Sequence, residues 1–268
     1  MGNLLRGMLV PHTPRFFDPE RGGPLCQPVI HGLQALGEEV ARFRPDAIII
    51  ASAHWVTTFH HYVAGPPRLA GVLTASEASD LVRNVPYDYP GDPDLARALV
   101  AAGTAAQVPV VLTEERTLPL DYGTVLPLRY LTPARDVPIV PISLCHLADL
   151  AQTLRWGRAI GAAVRAGRKR VIFAVTGAPS HRLVPGRERS PEIESRALDD
   201  RMLRLVTSGG LNELETSLGE LAREAPVEAG GRHLALLLGA LGSGYRGRVL
   251  GSGPSPGSGN AAVTLSPN

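Results

Sequence analysis

At 268 residues, with 44% apolar and 19% charged side chains, the chain has the length of one large domain and the balance of an ordinary soluble protein. A net charge of +2 leaves no electrostatic footprint for nucleic acid, and no apolar run reaches the ~18 residues of a membrane-span candidate. Cys26 and Cys145 are too few for a disulfide framework or a zinc-finger pattern, and "MGNLLRGMLV" lacks the apolar stretch and cleavage site of a secretory signal, so a cytoplasmic protein is expected.

"RGMLV" followed by "PHTP" reads as a short buried strand and a loop. Residues 28–45 carry apolar side chains at helical spacing and stop at Pro45. "DAIIIASAHW", 46–55, is a run of Ile and Ala with the signature of a fully buried parallel strand, so the first 55 residues form a βαβ unit. A helix follows over 92–107 with Asp92 as its N-cap, then strands at "VPVVLTEE" and 136–144. "ADLAQTLRWGRAIGAAVRAGRK" is a long amphipathic helix, and "RVIFAVTGAPSH" is the next buried strand, ending at His181. Residues 191–209 form a helix with Pro191 near its first turn, and the very apolar 231–244 form a buried one. "GSGPSPGSG" reads as a mobile loop without phosphate-loop spacing, and "AAVTL" as a last strand. Strands alternating with helices predict an α/β fold, a three-layer αβα sandwich on a mostly parallel sheet, with residues 1–268 as one domain.

Three of the eight histidines, His12, His54 and His181, end apolar strands, and His146 lies just past another. Ligands of open α/β sheets bind outside the carboxyl ends of the strands, so these side chains converge on one crevice. Neutral imidazoles from neighbouring strand ends can hold Fe(II) or Zn(II), with a third protein ligand completing an open face. An unligated histidine can move protons near neutral pH.

At these residues the chain resembles the class III extradiol ring-cleaving dioxygenases. "PHTP" (11–14) and "SAHW" (52–55) resemble the family's two metal-histidine loops. "PYDYPGDPDLARALV" (86–100) resembles its Tyr-Pro-x-Gly-Asp stretch, "TGAPSHRL" (176–183) its Gly-x-x-Ser-His turn, and "GSGNAAVTL" its closing strand. "LDYGTVLPLRYL" (120–131) resembles a segment usually reading Asp-His-Gly-Thr, with Tyr122 in place of the histidine. The Gly-Asp of the later turn is also replaced, by Ala178 and Pro179.

The resemblance implies a non-haem Fe(II) enzyme, with Zn(II) as the other candidate metal, that opens a small aromatic diol with O2. His12 and His54 are then metal ligands, and His181 is the acid–base. Tyr122 hydrogen-bonds substrate or oxygen; a phenol with a pKa near ~10 is a poor proton shuttle. The third ligand is expected to be His233, because "RHLALLLGALG" matches the histidine before an apolar helix in DOPA-type relatives; Glu228 is the alternative. His60, His146 and Arg182 are candidates for substrate contact. A homo-oligomer is expected, with neither nucleic acid nor membrane as partner. Two rival readings share the fold: a zinc hydrolase at the same histidines, and a binding or scaffold member without catalysis.

Overall fold

The computed structural model describes residues 5–18, 20, 23–181, 193–224, 227–255 and 257–268, with residues 193 and 194 described by their backbone alone. The first part of the chain folds as β1 (Leu5–Val10), α1 (Gly23–Phe43), β2 (Ala47–Thr57), β3 (His61–Ala64), β4 (Arg68–Leu73) and β5 (Val85–Pro90). It continues with α2 (Pro93–Ala105), β6 (Val110–Thr113), α3 (Tyr122–Leu131), β7 (Ile139–Cys145), α4 (Leu150–Ala166) and β8 (Val171–Thr176). The rest comprises α5 (Ile193–Ser208), α6 (Leu211–Glu224), α7 (Arg232–Leu241), β9 (Tyr245–Ser255) and β10 (Ser258–Pro267).

Eight strands form one sheet in the order β6-β3-β7-β2-β8-β1-β10-β9. Its centre, β7-β2-β8-β1, is parallel throughout, while β10 and β9 close one side antiparallel. β1 and β2 are indeed joined by α1, but β8 lies between them and pairs with both.

The central strands are apolar because both faces are covered, and alternate residues choose a face. Leu9, Ile49, Ala51, Phe173 and Val175 pack with residues of α2, α4, α5, α6 and α7. Met8, Val10, Ile48, Ile50, Ile172 and Ala174 pack with α1 and α3 on the other side. The result is a three-layer αβα sandwich, as the alternation of elements implies.

Helix ends follow local chemistry. Asp92, Asp121 and Asp149 cap α2, α3 and α4, each accepting from a backbone N–H three residues on. α1 buries Val29, Ile30, Leu33, Leu36, Val40 and Phe43 at three- and four-residue spacing, and ends where Arg44 turns left-handed (φ 50°) before Pro45.

The structure departs from the sequence reading in several places. α1 starts at Gly23 and carries Pro28 as its sixth residue, where the missing N–H removes one i→i−4 hydrogen bond. β3, the β4–β5 hairpin, α3 and α6 were not expected as elements. The "GSGPSPGSG" segment is not a free loop: its described residues belong to β9, β10 and their turn, with Ser252 facing Ala261 and Gly253 facing Asn260. Antiparallel pairing satisfies the backbone there, so the glycines need contribute no side-chain packing. Pro191 lies outside the described residues. Among the described residues no helix is long and apolar enough to cross a membrane.

Candidate metal centre

The carboxyl ends of β1, β2 and β8 deliver His12, His54 and the turn 177–181 to one edge of the sheet. His12 stands two residues past β1, between Pro11 and Pro14, and is 6% exposed. Its loop is tied to the β9–β10 hairpin: Thr13 Oγ1 donates to Asn260 Oδ1 (2.9 Å), and Asn260 Nδ2 donates to Ser255 Oγ (2.9 Å).

His54 lies where the β2–β7 register breaks. Ala51 faces Ile142 and Val56 faces Leu144, so five steps of β2 span two of β7. The three extra residues lift His54 out of the ladder, as a large bulge does beside many active sites. Its backbone N–H donates to Ser52 Oγ (3.1 Å), which donates to Asp121 Oδ1 (2.6 Å). The same carboxylate caps α3 through Thr124 N (3.1 Å) and Thr124 Oγ1 (3.0 Å). Tyr122, the first residue of α3, therefore comes to rest on His54, with ring centroids 4.1 Å apart. Gly123 permits this approach, because a Cβ there would meet Ser52 Oγ at 2.5 Å and His54 Cδ2 at 3.1 Å.

The third arm comes from the segment before α7. Ala229, Gly230 and Gly231 have φ of 50°, 60° and 78°, three consecutive left-handed residues that reverse the chain ahead of the helix. The turn presents Glu228 to the histidines. Its Oε1 lies 3.2 Å from His12 Nε2 and 3.5 Å from His54 Nε2, and the two Nε2 atoms are 2.9 Å apart. Its Oε2 accepts from Ala178 N (2.6 Å), while its own N–H donates to Ala178 O (3.4 Å), fixing the carboxylate to the end of β8.

Among the described residues, His12, His54 and Glu228 form the one group whose ligand atoms converge in a way suited to a metal ion. The donor set fits an ion well. Two ligand atoms at right angles and about 2.1 Å from one centre stand about 3 Å apart, close to the observed spacings. Two imidazoles and one carboxylate with an open face are the ligand set of non-haem Fe(II) oxygenases.

Electrostatics favour the same trio. Burial alone would keep His12 neutral, but the Glu228 carboxylate, as charge and as hydrogen-bond partner, outweighs it and raises the pKa. Burial also opposes ionisation of Glu228, yet the His12 imidazole overrides it and holds the carboxyl well below its usual range. His54 is pushed down to about 4, first by burial and then by the charge on His12.

The expected third ligand, His233, is not part of this group. It is wholly buried in α7 and packed against Gly177, and among the described residues neither ring nitrogen has a partner in full hydrogen-bond geometry. Burial, followed in effect by the charges of nearby His12 and His181, lowers its pKa to about 4 against the pull of Glu228, leaving a neutral core imidazole. The carboxylate that lies with the two histidines is that of Glu228, the alternative named from the sequence.

A cavity of about 280 Å³ opens beside the trio, lined by His12 and Glu228 together with His181, Tyr122, Ala178 and Asn260. His181 Nε2 is 3.9 Å from Glu228 Oε1, beyond hydrogen-bond reach, and its side chain is 28% exposed. Tyr122 is mostly buried; burial first, then the carboxylates of Glu77, Glu228 and Asp121, push its phenol far above the ordinary range. His60 and His146 are exposed and do not line this cavity. Arg182 lies outside the described residues. Asp121, Ser52, Glu77 and Asn260 escaped the sequence reading; of these only Asp121, ahead of an apolar helical segment, carried a readable capping signal. A larger groove of about 880 Å³ lies at the opposite ends of the strands, between α1 and the α3–β7 connection, far from the converging histidines.

Comparison with known proteins agrees with this architecture. The chain is 26% identical to 3,4-dihydroxyphenylacetate 2,3-dioxygenase of Escherichia coli over 266 residues, covering 95% of this chain and 96% of the relative. It is also 26% identical to the 2-aminophenol 1,6-dioxygenase alpha subunit of a Pseudomonas species, over 87% of this chain and 89% of that one. The solved structure of an uncharacterized protein from Escherichia coli K12 shares the fold, with a TM-score of 0.68 at 20% identity, covering 97% of this chain and 98% of that one. Residues 6–262 match the family described as the catalytic LigB subunit of aromatic ring-opening dioxygenase, and the chain belongs to that family of ring-cleaving oxidoreductases.

Proposed function

We propose that the chain is an Fe(II)-dependent extradiol dioxygenase, with His12, His54 and Glu228 as metal ligands and a catechol-type diol as substrate. The observation that carries this is the approach of His12 Nε2, His54 Nε2 and Glu228 Oε1 to within 3.5 Å of one another beside a cavity holding His181.

Bound Fe(II) would supply a common meeting point for the two diol oxygens and O2, turning a three-body encounter into a reaction of neighbours. His12, His54 and Glu228 would hold that ion through two imidazole nitrogens and a carboxylate oxygen. His181 would accept a proton from a substrate hydroxyl and give one back as the ring opens, and its partial exposure leaves it in reach of solvent. Tyr122 stays protonated at any physiological pH and so acts as a hydrogen-bond donor to a substrate oxygen, not as an acid–base. One ring C–C bond beside the diol breaks and both atoms of O2 enter the product, giving a muconic semialdehyde. Assembly into an oligomer is in keeping with the subunit names of the Pseudomonas relatives.

The test is oxygen uptake by protein loaded anaerobically with Fe(II), over a panel including catechol, 3,4-dihydroxyphenylacetate and 2-aminophenol. Uptake on at least one diol, lost in His54→Ala, supports the proposal. Equal rates for the two proteins, or tight Zn(II) binding with no oxygen uptake on any panel member, would overturn it.

A further inference from the structure

The turn that carries His181 is gripped from behind by a carboxylate with no part in the chemistry above. Asp199 stands on α5 and is 9% exposed. Its Oδ2 accepts from Ser180 Oγ at 2.9 Å, and its Oδ1 has no partner among the described residues. Ser180 is itself buried, and it meets β10 twice: Gly259 N–H donates to Ser180 O at 3.0 Å and, more weakly, to Ser180 Oγ at 3.3 Å. The next residue, His181, pairs antiparallel with Ser258, which lines the cavity. The carboxylate lies so close to the Gly259 backbone that a Cβ there would fall 1.8 Å from Oδ2. Three elements that are remote in sequence, the end of β8, α5 and β10, thus meet at one serine hydroxyl.

That hydroxyl is a rotor. Donation to Asp199 sets its hydrogen, which turns an oxygen lone pair toward Gly259 N–H. Without the carboxylate, Oγ is free to turn away, and the turn is held to β10 by the Ser180 carbonyl and the His181–Ser258 pair. Burial pushes the Asp199 carboxyl up to about 6, helped by Asp200 and opposed by the Ser180 hydrogen bond. A carboxylate kept in such a place costs stability, so packing alone gives no reason for it.

We propose that Asp199 is a positioning residue for His181: through the Ser180 hydroxyl it locks the turn against the β9–β10 hairpin and sets where the imidazole stands over the ligand trio. The activity arm of the test rests on the proposed function; the exchange arm does not.

The experiment compares Asp199→Ala, Ser180→Ala, the double variant and Asp199→Asn, each loaded with Fe(II), on the best diol of the panel. Both alanine variants are expected to lower kcat about tenfold or more, with KM and iron content within about threefold of wild type. The double variant is expected to match the worse single, because both remove one hydrogen bond. Asp199→Asn, whose amide oxygen accepts the same bond, is expected to recover at least about a third of wild-type kcat. Unchanged kcat in both alanine variants, multiplied losses in the double, or iron content falling in step with kcat would overturn the proposal. Ser180→Ala deletes one oxygen and keeps the experiment decisive if Asp199→Ala fails to fold. In metal-free protein, hydrogen exchange of the peptide 173–181 should quicken in Asp199→Ala and not in Asp199→Asn; identical exchange in all variants overturns the clamp. A wild type that consumes no oxygen, with exchange altered as described, condemns the proposed function and leaves the clamp standing.

Discussion

Asp199→Asn should stabilise the protein, and only above a definite pH. The carboxyl rises from 3.8 in the unfolded chain to about 6 in the fold, chiefly because burial disfavours its charge. Between those values the folded protein binds more protons than the unfolded chain, so this group's contribution to stability falls as pH rises from about 4 to about 6, then stays flat. The shift is worth about 3 kcal/mol once the group is fully ionised, at 1.36 kcal/mol per pKa unit. An asparagine cannot ionise and escapes that penalty, and it keeps an acceptor for Ser180 Oγ. With a urea slope near the upper end of the usual range, about 3 kcal/mol per molar, the midpoint should move up by about 1 M at pH 8 and hardly at all at pH 4. Urea unfolding at the two pH values measures this. No gain at pH 8, or an equal gain at both, would refute the claim that Asp199 is a desolvated carboxylate.

The remaining predictions concern the ligand trio. Glu228→Gln keeps an acceptor for Ala178 N–H but loses the anion, and should weaken Zn(II) binding, measured calorimetrically in the metal-free protein, by about 100-fold. His233→Leu should leave metal affinity within about threefold, since His233 stands outside the cluster of ligand atoms; a loss as large as that of Glu228→Gln would restore His233 as ligand. Gly123→Ala puts a methyl 2.5 Å from Ser52 Oγ and 2.9 Å from Asp121 Oδ1. Overpacking of about 1–3 kcal/mol, offset by up to about 1 kcal/mol of helix propensity, should leave a net loss visible in urea unfolding, with metal affinity down about tenfold as His54 shifts. Metal affinity should fall by one power of ten per pH unit below the raised pKa of His12 and above about 4, because His12 must lose a proton to bind while His54 is already neutral. A slope of two over that range would contradict the assignment.

Much of the fold was readable because its physics is local. The runs "IIIASA" and "VIFAV" mean strands covered on both faces, and the edge where parallel strands end gathers His12, His54 and His181. α6 was also legible, with Leu211, Leu214, Leu218 and Leu221 at helical spacing, but its many charges hid it. β9 was not, because glycine, serine and proline read as loop until a partner strand is known. The choice between Glu228 and His233 turned on a feature outside helix context. Three left-handed residues separate the two, so Glu228 turns to the cavity while His233 sinks into the core with the apolar face of α7. The Gly-Gly after Glu228 was the available signal, and so was the rule that a histidine inside an all-buried helix is core.

Oxygen labelling tests the central claim most directly. Protein holding one Fe(II) per chain is mixed with a cleaved diol under 18O2, and the product is quenched rapidly with borohydride to trap its aldehyde oxygen. The account predicts one O2 consumed per diol and two labelled oxygens in the ring-opened product. A product labelled only from water, or none at all from the fully loaded protein, would contradict it.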